Sequence, residues 1–127
     1  MCGIVALFSQ KGLISESSLR LGIDCLQHRG PDGQKFWISP DRRVALGHTR
    51  LSIIDLQNGD QPIANQDETL HIIANGEFYD FERIQRDLKQ WGYQLKTNSD
   101  TEIALHLYNE FGTQCLHYLR GCLKSHD

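Results

Sequence analysis

Long apolar runs are missing from this 127-residue sequence. No stretch approaches the roughly 20 residues that a helix needs to cross a bilayer. An excess of positive charge is missing too. Lys and Arg number 13 against 16 Asp and Glu, the net charge is −3, and the pI is about 6.0. With basic residues such as Arg42, Arg43, Arg83 and Arg86 scattered rather than clustered, nothing favours nucleic acid or an anionic lipid surface as a partner. No C-x-x-C pair occurs among Cys2, Cys25, Cys115 and Cys122, which argues against zinc and thioredoxin-like chemistry. No basic region precedes the apolar start MCGIVALF, so it reads as a buried strand rather than a signal peptide. A cytoplasmic protein with free thiols is expected, with Cys25 and Cys115 as small apolar residues on buried helix faces. Internal repeats, linkers and low-complexity segments are also absent.

What remains is the composition of a globular protein, 39% hydrophobic and 23% charged, with a length that suits one domain. Residues 3–8 (GIVALF) are short enough for a strand buried on both faces. Ser15 is placed to cap a helix running to about His28, with Leu19, Ile23 and Leu26 along one side. Arg29-Gly30-Pro31-Asp32-Gly33 ends it. Phe36 and Ile38 alternate as in a strand, Pro40-Asp41 marks a turn, and Val44 to His48 reads as the returning strand. Residues 50–56 and 69–75 are strand-like, and Asn75-Gly76 is a tight-turn signal. Phe81, Ile84, Leu88 and Trp91 stripe one helix that Gly92 stops. After a short strand at 93–97, Ser99 and Glu102 match a capping box, and Ile103, Leu107 and Phe111 stripe a second helix up to Gly112. A last helical turn or two covers 114–120. Early strands flanked by helices without strict alternation predict an α+β fold with a largely antiparallel sheet.

Cys2 has a chemical option that no internal cysteine has. Its small side chain predicts removal of Met1, which leaves a free α-amine on the residue that carries the thiol. Such an amine titrates near 7.7–8.0, so roughly a tenth or more is neutral at pH 7 and can serve as base for the thiol. Acyl transfer from a carboxamide also needs donors aimed at an oxyanion. Asn75-Gly76 offers a side-chain amide and an unhindered backbone N–H, although the same dipeptide also reads as a plain hairpin turn. An amino-acid substrate needs a cation for its carboxylate, which suits Arg50, and an anion for its ammonium, which suits Glu77 and Asp100. Each also has a structural reading: Arg50 as an edge-strand charge, Glu77 and Asp100 as acids favouring helix N-termini.

Together the motifs MCGIVALF (1–8), HRGPDG (28–33), GHTRLSIIDL (47–56), QP (61–62), NGEFYD (75–80) and SDTE (99–102) resemble the class II glutamine amidotransferase domain. RLSIID with the following Gly59 and Gln61-Pro62 is similar to the asparagine synthetase branch of that class. The resemblance implies an N-terminal-nucleophile (Ntn) hydrolase fold, antiparallel sheets flanked by helices in an αββα arrangement. It also implies that Cys2 attacks the carboxamide of glutamine, and that Asn75 and Gly76 form the oxyanion hole. By the same resemblance Arg50 and the backbone of Leu51, Ser52, Ile53 and Ile54 hold the α-carboxylate side, while Glu77 and Asp100 receive the ammonium. For Arg29 and Asp32 a structural role in locking a loop is expected. His71, His106, His117 and His126 read as surface or packing residues.

The expected extent is residues 2–127 as a partial amidotransferase domain, with the second sheet incomplete where Leu119-Arg120-Gly121 gives way to CLKSHD. No ATP-binding synthetase domain is recognisable, so ATP and magnesium are expected only in such a domain. No metal or cofactor is expected in this chain. Glutamine is the expected substrate, with a synthetase domain or chain as the ammonia acceptor. The competing reading is a non-catalytic remnant, or a module that binds glutamine or docks on a partner.

Overall fold

The computed structural model describes residues 2–51 and 60–123, the last three by their backbone alone. The chain divides into two compact units, Met1–Pro62 and Ile63–Asp127. Among the described residues every pairing between strands is antiparallel, as expected for an α+β fold.

The first unit is a three-stranded sheet with one helix. Strands β1 (Gly3–Phe8), β2 (Gly33–Ile38) and β3 (Val44–Arg50) lie in the order β1-β3-β2, and helix α1 spans Glu16–Cys25. Ser15 caps α1 as its extended backbone and position predict, accepting a hydrogen bond from Ser18 N–H. Leu19 and Ile23 pack with Ala45 and Ile14, and Val5, Leu7 and Ile38 close around them. A leucine or isoleucine side chain contributes about 1.5–3 kcal/mol on full burial. The helix ends earlier than the periodicity predicts. From Leu26 the chain winds on in three-residue turns, Arg29 N–H to Leu26 O and Gly30 N–H to Gln27 O. Cys25, the last residue of α1, is exposed rather than buried, whereas Cys115, in the second unit, is buried as expected.

Those turns deliver the HRGPD segment against the end of β3. Asp32 N–H donates to Arg50 O at 2.9 Å, and Pro31 bridges Arg50. Gly30 is required by this approach, because a Cβ there would lie 2.3 Å from the carbonyl carbon of Thr49. Backbone atoms at that distance cannot give way as a side chain does. Gly30→Ala is therefore expected to destabilise the first unit by about 2 kcal/mol or more. A urea titration showing less than about 0.5 kcal/mol would refute the contact.

The second unit is built on two helices, α2 (Phe81–Gln90) and α3 (Asp100–Phe111). It also holds the short strands β4 (Ile63–Ala64), β5 (His71–Ile72), β6 (Gly76–Tyr79) and β7 (Arg120–Leu123). Ile84, Leu88, Ile103, Leu107 and Cys115 form its core, with Phe78, Phe81, Tyr93, Leu95, Phe111 and Leu119 packed around them. Gly92, at φ +95°, ends α2: its N–H bonds Lys89 O and that of Tyr93 bonds Leu88 O, satisfying two terminal carbonyls.

Several expectations give way here. Strand β5 covers only two of the residues 69–75, and Asn75-Gly76 is no hairpin turn, because Gly76 begins β6. Residues 93–97 form no strand. Their alternation packs half-buried Tyr93 and Leu95 against the core, while the N–H groups of Lys96 and Thr97 turn to the Glu102 carboxylate at 2.7 Å each. Only half of the capping box exists. Ser99 Oγ accepts from Thr101 N–H, but Glu102 is engaged elsewhere. The segment after Gly112 is a 3-10 helix, Gly112–His117, and β7 then pairs with β6. The predicted extension through residues 52–56 lies outside the described residues. Among the described residues no helix is long and apolar enough to cross a membrane.

Candidate functional site

Cys2 stands immediately before β1, and the backbone on its C-terminal side is held twice. Arg29 Nε donates to Cys2 O at 3.3 Å, and Gly3 N–H donates to Thr49 Oγ1 at 3.0 Å. Thr49 in turn donates to Leu26 O at 3.2 Å, tying the strand start to the end of α1. The half-buried thiol receives the Leu51 N–H, with Sγ 3.4 Å from the nitrogen. Sulfur and the residue after Arg50 are thus in contact, as a site containing both requires. Arg29 thus holds the chain at Cys2.

Arg50 closes β3, opposite Gly33 of β2. Its side chain is only 10% exposed, and Nη1 lies 3.2 Å from Asp60 Oδ1. The other oxygen of Asp60 lies 2.6 Å from Lys35 Nζ. The Lys35 hydrogen bond, with the charges of Lys35 and Arg50, holds the Asp60 carboxyl below the usual carboxylate range against a smaller opposing effect of burial. These residues border a cavity of about 530 Å³ lined also by Asp32, His48 and Gln61. A guanidinium at the wall of a polar cavity suits an anionic group on a small ligand.

The other expected residues lie in the second unit. Asn75 leads into β6, where Gly76 is paired with Leu123 and Glu77 with Cys122. Asn75 and Gly76 are half-buried and Glu77 is exposed. Asp100 begins α3, and its Oδ2 accepts from Phe78 N–H at 2.8 Å, which ties the helix start to the strand carrying Gly76 and Glu77. The structure thus associates Cys2 with Leu51 in one unit, and Asp100 with β6 in the other. Ser52, Ile53 and Ile54 lie outside the described residues.

Sequence reasoning passed over two charged clusters. Asp60 and Lys35 are one. The other is Glu102, 1% exposed, which accepts from Lys96 N–H, Thr97 N–H and the Thr97 hydroxyl and lies 3.1 Å from His106 Nε2. Burial opposes its charge, but the bonds from His106, Thr97 and the two backbone groups outweigh it and keep the carboxyl below its ordinary range. His106 is a packing residue as expected, with a partner that was not. Among the described residues no group of three or more His, Cys, Asp or Glu side chains is arranged to hold a metal ion.

A family model described as a glutamine amidotransferase domain matches residues 1–124. The chain is 40% identical over 125 residues to a probable asparagine synthetase (glutamine-hydrolyzing) of Dictyostelium discoideum, covering 95% of this chain and 22% of that protein. It is 38% identical over 125 residues to asparagine synthetase (glutamine-hydrolyzing) 1 of Bacillus subtilis, with 95% and 20% covered. To Amidase chry2 of Gibberella zeae it is 37% identical over 135 residues, again with 95% and 20% covered. The chain spans about one fifth of the length of these relatives.

Proposed function

Because the chain belongs to the glutamine amidotransferase domain family, in the class II form found in asparagine synthetases, we propose that it hydrolyses glutamine to glutamate and ammonia with Cys2 as nucleophile. After Met1 is removed, the α-amine takes the thiol proton and Sγ bonds to the carboxamide carbon. The Asn75 side-chain amide and the Gly76 N–H receive the oxyanion, where loss of one donor costs about 2.7–4 kcal/mol. The tetrahedral intermediate collapses with cleavage of the C–N bond, and the α-ammonium returns its proton to the departing nitrogen as ammonia. Water then attacks the thioester, releasing glutamate and restoring the thiol.

Arg50 holds the substrate α-carboxylate beside the backbone of Leu51, Ser52, Ile53 and Ile54. Glu77 and Asp100 receive its ammonium, Asp100 through the oxygen that does not serve Phe78. With base and nucleophile on one residue, the step asks for no cofactor. The acceptor of the ammonia is an activated carboxylate on a synthetase domain or chain, as the names of the asparagine-forming relatives suggest.

The observation that carries this reading is the contact of the Cys2 thiol with Leu51 N–H, which sets the nucleophile beside the residue that follows the carboxylate-binding arginine. Arg50→Ala is expected to raise KM for glutamine about 10- to 100-fold, as loss of a charge-assisted hydrogen bond does. Steady-state ammonia release against glutamine concentration measures it, and an unchanged KM removes Arg50 from the site. Saturable glutamine binding without turnover by the correctly processed protein would select the binding-module reading instead.

A further inference from the structure

We propose that Asp60 is a built-in competitor for the substrate carboxylate, and so sets the affinity of the Arg50 pocket and its selectivity for ligands bearing that group. The inference rests on the assignment of Arg50 to that carboxylate. Arg50 is nearly buried, at 10% exposure, while Asp60, its partner, and Lys35, which bonds Asp60, have side chains 44% and 60% exposed. The Asp60 carboxylate therefore lies on the solvent side of the guanidinium, where a ligand carboxylate arriving through the cavity must go. It offers Nη1 the same functional group that the ligand brings.

The geometry is that of a yielding partner. Asp60 gives Arg50 one oxygen at 3.2 Å, not the paired contact of a bidentate fork, and its second oxygen goes to Lys35 at 2.6 Å. A ligand carboxylate that takes Nη1 displaces it, and Lys35 retains the displaced Asp60. Tethering gives the competitor a high effective concentration, so a weak contact still reduces occupancy. A neutral ligand of the same shape gains nothing from the exchange.

The test is calorimetric titration of the processed chain with L-glutamine and with L-glutaminamide, in which the α-carboxylate is a neutral amide. Cys2→Ala is used as background so that glutamine is not consumed. Asp60→Asn, which keeps the shape of an exposed side chain, is expected to bind glutamine about fivefold tighter, the scale of a partly exposed ion pair. Its affinity for glutaminamide should not tighten. Equal or weaker glutamine binding overturns the proposal and makes Asp60 a residue that orients Arg50. Equal tightening for both ligands also overturns it. If Arg50→Ala binds glutamine as well as the parent, or no variant binds it, the Arg50 assignment itself falls and this proposal with it.

Discussion

Cys2→Ala is expected to lower ammonia release from glutamine by about 10⁴-fold or more, the scale on which removal of a covalent nucleophile acts. The variant keeps the proposed base, the amine of the same residue, and loses only the sulfur. Blocking that amine, by acetylation or by a retained Met1, should be nearly as damaging while leaving the sulfur in place. Thiol reactivity alone is a poor readout, because Cys25 is exposed and competes for general reagents. A glutamine-like electrophile should label Cys2 stoichiometrically, glutamine should protect it, and intact mass should report one adduct on a protein that lacks methionine. Turnover by the alanine variant within tenfold of the parent would end the assignment of Cys2 as nucleophile.

Glu102→Ala should cost the second unit about 2–3 kcal/mol or more, the scale of removing a buried carboxylate that several hydrogen-bond donors share. Its carboxylate gathers two backbone N–H groups, the Thr97 hydroxyl and His106. Truncation would leave all four without this acceptor. Glu102→Gln, with one acceptor oxygen, is expected to lose less. The pH dependence has a definite sign. A carboxyl whose folded pKa is depressed adds stability that is present above the unfolded value of about 4.3, and that stability is lost as pH falls through the lower folded value. Trp91 lies in this unit and Trp37 in the other, so a Trp37→Phe background confines the fluorescence signal to the unit under test. Urea midpoints for the parent and Glu102→Ala that coincide at pH 7 would show that the cluster contributes nothing net.

Glu102 also illustrates why part of the fold was legible and part was not. Helix α1 was visible because its determinants are local: a serine cap and apolar residues three and four apart. The spacing of Ser99 and Glu102 gave an equally local signal, yet the carboxylate bonds to a loop five and six residues before it. The alternation in residues 93–97 reflects two side chains entering a core, not a paired strand. Strand β6 escaped notice because it is four residues long and opens with Gly76, which reads as a turn until β7 is there to pair with it. At the candidate site, Cys2 and Arg50 stood out through motif and chemistry. Asp60 did not, because its partners are 25 and 10 residues away and nothing in the intervening text encodes their meeting.

The clamp on the backbone around Cys2 bears on entropy as well as position. With its carbonyl held by Arg29 and the next amide held by Thr49, the residue keeps little torsional freedom beyond rotation of its own side chain and amine. Freezing a residue's backbone typically costs about 1–2 kcal/mol, and here that loss falls on the folding equilibrium before any ligand arrives. The sulfur starts each encounter with its search already narrowed to a single rotor.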